Sequence, residues 1–409
     1  MTVTPRGAQS MRTERVGTFH MVCFWSHSYR RTVSRGFILP LTLWIVATIG
    51  VVVVAVNEWI SRTIENSQML RGRADGELAY SSIRDELIFL LATRPVTYRG
   101  MEVGQLIDRV DTPDSNALMM ADYKTNRFIR MDGSPYLVES QPDYSIRIYD
   151  GRGLINLNTP SQPYLRRLLG LFKLPEQVKN GLIDSLEDYT DRDDLTRISG
   201  AESKDYARLD RLPPTNALLI APLEAQSVVG WDQVTSLWKR DRESPLLTTC
   251  RSFGFNPNTA SREVLIATLV GLEEEGVTQV LEHRADLPFR NTRELSAVSG
   301  TVLREEPFFF TFAPGPCVIV ELIHRPTGDR TRFSLTMEGF NAKSRPWQID
   351  YVLRIPPKAP STAGKSDSEE VFPAPNSMDA DLQAIPEIGG ARSRSDLDFK
   401  SKNDAPSNL

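Results

Sequence analysis

The stretch EDYTDRDDLTRISGAESKDY carries seven carboxylates within 19 residues: Glu187, Asp188, Asp191, Asp193, Asp194, Glu202 and Asp205. So dense a run repels itself unless water solvates it or a cation neutralises it. Calcium suits such a run chemically, since it accepts about six to eight oxygens and tolerates irregular loops. The spacing is not that of an EF-hand, because no Gly stands at the sixth position of a DxDxD frame. A solvated acidic loop is the competing reading, and both stand at this point.

Catalytic chemistry has little to work with. Outside the first 36 residues only His283 and His324 are histidines, and each reads as an ordinary surface or strand residue. No Walker loop, HExxH, nucleophile elbow or dinucleotide fingerprint occurs. A non-enzymatic role is therefore expected.

One segment departs from soluble composition. Residues 36–57 are 22 consecutive uncharged positions, and 37–56 are almost wholly apolar. That length crosses roughly 30 Å of hydrocarbon as a helix. Before it, six Arg against Glu14 give +5, so with −4 overall the remainder sums to −9. A basic flank stays cytoplasmic, and the acidic bulk is exported. The acidic balance does not favour phosphate polymers as partners. Cys23 falls in the basic leader. Cys250 and Cys317 lack metal-site spacing. They could pair in an oxidising periplasm, but two separate buried thiols is the preferred reading.

The front edge of the apolar run is inverted relative to a secretory signal, in which a small-residue cleavage site follows the apolar region. Gly36 precedes it here, and RGFILPLTLW resembles the type IV pilin-like signal. That resemblance implies a prepilin peptidase cutting after Gly36 and leaving Phe37 as the new, methylated N-terminus. Pro40 then falls in the first helical turn, where its missing N–H leaves no bond unmade.

From Asn57 to about Arg94, Ile60, Ile64, Met69/Leu70, Ile83, Leu87 and Leu91 recur at helical spacing. RFIRM at 127–131 and YSIRIYD at 144–150 read as short strands. An internal repeat follows. Asn156, Asn158, Thr159, Ser161, Leu165 and Leu169 match Asn256, Asn258, Thr259, Ser261, Leu265 and Leu269 at an offset of 100. Each copy reads as a short strand or turn opening a helix capped by the Thr, with Gln162 completing a capping box in the first. CVIVELI at 317–323, TRFSLTMEGF at 331–340 and WQIDYVLRI at 347–355 are strands, the first two flanking a turn at 325–329. Residues 356–409 have the composition of a disordered tail.

Taken in order, RGFILPLTLW, YDGRGLINLN, DYTDRDD, SGAESKDY, FNPNTASREVL and the closing hairpin resemble minor pseudopilin K of bacterial type II secretion systems, the GspK family, over roughly residues 30–355. The long leader and the tail depart from it. The resemblance implies an α+β fold: a cytoplasmic leader (1–36), a transmembrane helix (37–57), and a pilin-like α/β domain with an antiparallel sheet (58–154 and 306–355). An inserted all-α domain with helix-hairpin-helix-like repeats (155–305) interrupts that domain. It also implies a single-pass protein of the bacterial inner membrane with a periplasmic bulk. Its partners would be the I- and J-type minor pseudopilins, the pseudopilus, the prepilin peptidase and the inner-membrane secretion platform.

Two site expectations come with the family. Calcium binding makes Asp191, Asp193, Asp194, Glu202 and Asp205 candidate ligands. Pilin-like proteins mostly carry Glu at the fifth mature position, where this chain has Leu41. A subunit at the tip has no amine above it to pair with such a carboxylate, and an unpaired charge in hydrocarbon is costly. Leu41 therefore points to a tip or priming role. Helix-hairpin-helix modules of DNA-uptake proteins are also similar, but GLEEEG sets Glu273, Glu274 and Glu275 where a phosphate would lie, so no nucleic acid is expected. A type IV minor pilin and a tethered periplasmic nucleic-acid-binding protein are the alternatives.

Overall fold

The computed structural model describes residues 38–103, 127–158, 162–305, 307–337, 345–355 and 370–375. Its first element, α1, runs Ile38–Thr93. Two compact units divide within this helix, one ending at Arg73 and the other starting at Ala74. In the first unit the described residues are helical and every side chain is exposed. Among the described residues α1 is the one helix long and apolar enough to cross a membrane. Pro40 and Leu41 lie at its start, while Gly36 and Phe37 fall outside the described residues.

In the second unit α1 buries Ala79, Ile83, Leu87 and Leu90, a stripe at four- and three-residue spacing. The strands β1 (Val96–Thr97), β2 (Gly100–Glu102) and β3 (Phe128–Ile129) form a small sheet in that order. Next come β4 (Asp132–Val138) and β5 (Tyr144–Asp150), then β6 (Ile155–Asn156). The helices α2 (Gln162–Leu171), α3 (Glu176–Thr190), α4 (Ser203–Arg208) and α5 (Thr235–Glu243) lead to β7 (Leu247–Thr248). Three more follow: α6 (Arg262–Thr268), α7 (Glu274–Asp286) and α8 (Thr292–Ser299). The chain closes with β8 (Cys317–His324), β9 (Arg330–Met337), β10 (Trp347–Ile355) and β11 (Glu370–Phe372).

The main sheet has the order β10-β9-β8-β5-β4-β11, antiparallel except for β11 against β4. Alternating Phe333 and Leu335 on β9, with Ile146, Ile148, Val318 and Val320 on the central strands, meet Ile83, Leu87 and Leu90 of α1 in one core. Residues between β5 and β8 build a separate core around Leu168, Leu182, Trp231, Trp238, Val264, Val280 and Phe289. Two indole N–H groups are satisfied inside it, Trp231 Nε1 by Leu182 O at 2.8 Å and Trp238 Nε1 by Trp231 O at 2.6 Å.

The strands β5 and β8 are neighbours, yet residues 151–316 separate them in sequence. At the exit Asp150 is fully buried, and its carboxylate accepts from Arg152 N (3.1 Å), Gly315 N (2.9 Å), Asn256 Nδ2 (2.8 Å) and Thr259 Oγ1 (3.0 Å). Burial raises its pKa, against the pull of these donors. A second tie is ionic: buried Arg332 of β9 reaches Glu321 at 3.2 Å and Asp241 of α5 at 3.3 Å. Asp241 in turn caps Leu246 N at 2.8 Å.

Several sequence expectations are corrected here. Cys250 and Cys317 form a disulfide, Cα atoms 6.0 Å apart, because the seam brings the end of β7 onto the start of β8. The helical region is not all-α, since β6 and β7 pair in parallel within it. Thr259 does not cap α6. Asp150 takes its hydroxyl, and Ser261 caps Val264 N instead. Thr159 lies outside the described residues, and Gln162, at the start of α2, donates to Glu187. Within the region read as a tail, 370–372 form a strand because Phe372 is apolar enough to enter the core beside Tyr136 and Val138.

The disulfide closes a loop with a sequence separation of 67. Loop-closure entropy assigns such a crosslink about 4 kcal/mol. A Cys250→Ser/Cys317→Ser variant should lose about that much in urea unfolding. Reductant should bring the wild-type protein down to the variant's level and leave the variant unchanged.

Candidate carboxylate site

The acidic run begins on the last turn of α3. Leu182, Ile183, Leu186 and Tyr189 occupy its buried side. Asp184, Asp188 and Asp191 follow one another at four- and three-residue spacing, so they share a second side, on which Asp188 is also buried. A helix C-terminus carries partial negative charge, so carboxylates there are unfavourable without a counter-ion.

Arg197 supplies one. Its Nε lies 2.8 Å from Glu187 Oε2, and its Nη1 lies 2.6 Å from both Asp188 Oδ1 and Asp191 Oδ2. Asp191 foremost, with Asp188 and Glu187, holds the guanidinium above its ordinary pKa despite partial burial. The backbone joins in: Arg197 N donates to Asp188 Oδ2 at 3.1 Å and Ser199 N to Asp184 Oδ2 at 3.0 Å. Asp188 is fully buried against Gly200, where any Cβ would overlap its carboxylate.

Glu202 closes the site. It is 4 % exposed and precedes α4, where Asp205 accepts from Glu202 N at 3.2 Å. Its side chain lies over the first turn of α4 as in a capping box, yet neither oxygen has a hydrogen-bond partner of good geometry. Burial, then the charges of Asp188, Asp191 and Asp194, raise its pKa. Asp191 Oδ1 is likewise buried without a partner.

Of the residues expected from sequence, the structure gathers Asp191 and Glu202 and adds Glu187 and Asp188, while Asp194 is exposed and reaches the cluster only through its charge on Glu202. Asp193 is exposed and accepts from Leu195 N at 3.0 Å, and Asp205 pairs with Arg208 at 2.9 Å. Asn216 reaches Asp194 at 3.5 Å. Among the described residues, no three carboxylate, histidine or cysteine groups converge as metal ligands. The missed residue is thus a cation inside the acidic run, six positions after a helix-ending Asp. Beside the cluster a cavity of about 260 Å³ has a floor of Leu165, Ile183 and Leu186 and a rim of Glu187, Asp191 and Arg197.

Asn156 and Asn158 of the first repeat line this cavity, and the asparagines of both repeats act as brackets. Asn158 Oδ1 accepts from Leu219 N at 2.8 Å and its Nδ2 donates to Leu219 O at 2.8 Å. Asn258 makes the same pair of bonds with Phe289, also at 2.8 Å each. Asn156 and Asn256 accept from Asn158 N and Asn258 N at 2.9 and 3.1 Å. Both copies enter by parallel pairing, β6 with β7 and Phe255 with Phe310. Arg167 of α2 then donates to Ala267 O of α6 at 2.5 Å.

The end of β5, the first asparagine pair and the whole carboxylate cluster lie within residues 147–236, which match the family model described as type II secretion system (T2SS), protein K. This stretch is similar to the protein K family. The match supports the resemblance to pseudopilin K drawn from the sequence. Among solved structures, the chain is similar to one from the crystal structure of the GspK-GspI-GspJ complex of the enterotoxigenic Escherichia coli type 2 secretion system. The two share 14 % identity with a TM-score of 0.44, over 72 % of this chain and 99 % of that one. No curated protein matches.

Glu202 should make the protein less stable as pH rises. Its proton is held more tightly folded than unfolded, so ionisation above the ordinary Glu range costs folding energy and protonation at acid pH removes that cost. In chelator, Glu202→Gln is expected to raise the thermal midpoint at pH 7.5. The gain should vanish as pH falls below the ordinary Glu value, as read by a melting series.

Proposed function

We propose that the chain is a minor pseudopilin of a type II secretion system, carried at the tip of the pseudopilus and priming its assembly. The observation that supports this most is the protein K match over residues 147–236, which hold the end of β5 and the carboxylate cluster. The apolar part of α1, long enough to span a membrane, accords with it. In this reading α1 anchors the protein singly in the bacterial inner membrane, leader inside and bulk periplasmic. The prepilin peptidase cuts between Gly36 and Phe37, and the new terminus is methylated. The helical region between β5 and β8 is an inserted domain built on two helix-hairpin-helix-like modules, each opened by an asparagine bracket. It serves contacts with I- and J-type pseudopilins rather than nucleic acid or catalysis, and the secretion platform receives the anchored subunit.

Leu41 then marks the top position, because a carboxylate there would have no amine to meet. Leu41→Glu is expected to lower secretion and shift the protein from the tip toward the filament body, as counted by immunogold labelling. Unchanged secretion and unchanged tip occupancy would count against a tip role for this residue.

The carboxylate cluster is proposed as a calcium site. Hard oxygen donors, an excess of acid over Arg197, the poorly met oxygens of Glu202 and the orphaned Oδ1 of Asp191 support such an ion. Asp188, Asp191, Asp194 and Glu202 would hold it, and the ion would supply the missing positive charge. Calorimetry with calcium should give a saturable heat in wild type and none in Glu202→Gln/Asp191→Asn.

A further inference from the structure

Arg197 sits where a cation would go. Three of its contacts, to Glu187, Asp188 and Asp191, lie at 2.6–2.8 Å, and its own amide binds Asp188 as well. Glu202, only 4 % exposed, feels the charge of the same carboxylates, and its oxygens are met only by the backbone at the start of α4, without a hydrogen bond of good geometry. The guanidinium therefore neutralises these three acids and leaves Glu202 without a cation. A planar, singly charged group cannot also reach it, whereas a divalent ion takes oxygens from all sides.

We infer that Arg197 is a tethered counter-ion that competes with a divalent cation for Glu187, Asp188 and Asp191, so that the site has two states. This rests on the cation-site reading above. In the arginine-in state the guanidinium and the Arg197 amide fasten residues 192–200 to α3 through Asp188, with Ser199 N on Asp184. In the cation-in state the ion takes the carboxylate oxygens, adds Glu202, and expels the guanidinium into solvent. Arg197 is already about one-third exposed, so its exit needs no repacking of the core. Leu195 and Ile198 flank it and are exposed, so the segment that moves carries two apolar side chains. Occupancy of the ion thus sets how the loop presents them.

The test uses the full chain in detergent, with calcium chloride as the probe. Calorimetry on wild type and Arg197→Gln should show at least a tenfold tighter calcium affinity in the variant. That is about the worth of one charge-assisted hydrogen bond removed from the competitor. In wild type, phenylglyoxal modification of Arg197, followed by peptide mass spectrometry, should rise several-fold on adding calcium and return with chelator. This second arm needs no variant, so misfolding of Arg197→Gln does not shelter the idea. Calcium heat in wild type, with Arg197 reactivity unchanged or lowered, overturns the competition and leaves the cation site standing. Absence of heat in every form overturns both.

Discussion

The Asp150 carboxylate accepts four hydrogen bonds where the chain leaves the main sheet, and the arrangement of everything after β5 hangs on them. A carboxylate buried without a cation is costly unless its oxygens are fully met by donors. Arg152 N and Gly315 N meet Oδ1, and the side chains of Asn256 and Thr259 meet Oδ2. Those donors belong to the exit, the re-entry before β8, and the second asparagine module. One side chain therefore fixes the three pieces that must meet if β5 and β8 are to pair across 151–316. The disulfide and the Arg332 ion pairs lie on the same seam and hold it from two further directions.

The carboxylate cluster meets the same difficulty in a less settled way. Asp150 has four neutral donors and no orphaned oxygen. Glu187, Asp188 and Asp191 share one guanidinium, and Glu202 has nothing of good geometry. Fully satisfied buried polar groups fix structure, whereas partly satisfied ones store a cost that another arrangement can relieve. The contrast separates a carboxylate whose oxygens are fully met from ones whose oxygens are not. Both lie in the stretch that matches the protein K family.

Much of this was legible in the residues. Phe333, Leu335 and Met337 alternate because one face of β9 meets the apolar core while the other buries the polar Arg332 and Ser334, and β5 and β10 follow the expected 144–150 and 347–355. The helical spacing of Ile83 and Leu87 announced α1. β4 escaped notice because DGSPYLV holds Gly133 and Pro135 and breaks register between Asp132 and Pro135. β11 escaped because its neighbours have tail-like composition, and only Val371 and Phe372 carry the signal. The asparagine repeat was visible as an offset, but its brackets to Leu219 and Phe289 are long-range pairings no local pattern encodes. Thr259 looked like a cap because capping is a local rule, and Asp150 overrode it from 109 positions away. Arg197 was hidden in an acidic run for the same reason: its meaning lies in where α3 ends, not in its immediate neighbours.

A pseudopilin reading stands or falls on the fate of the leader, since a pilin-like subunit enters the filament only after its basic segment is removed. Protein purified from membranes of cells with a functional secretion system should be subjected to N-terminal sequencing and intact mass measurement. The account predicts a chain beginning at Phe37, with mass added by one methyl group. An intact leader on secretion-competent protein would contradict it.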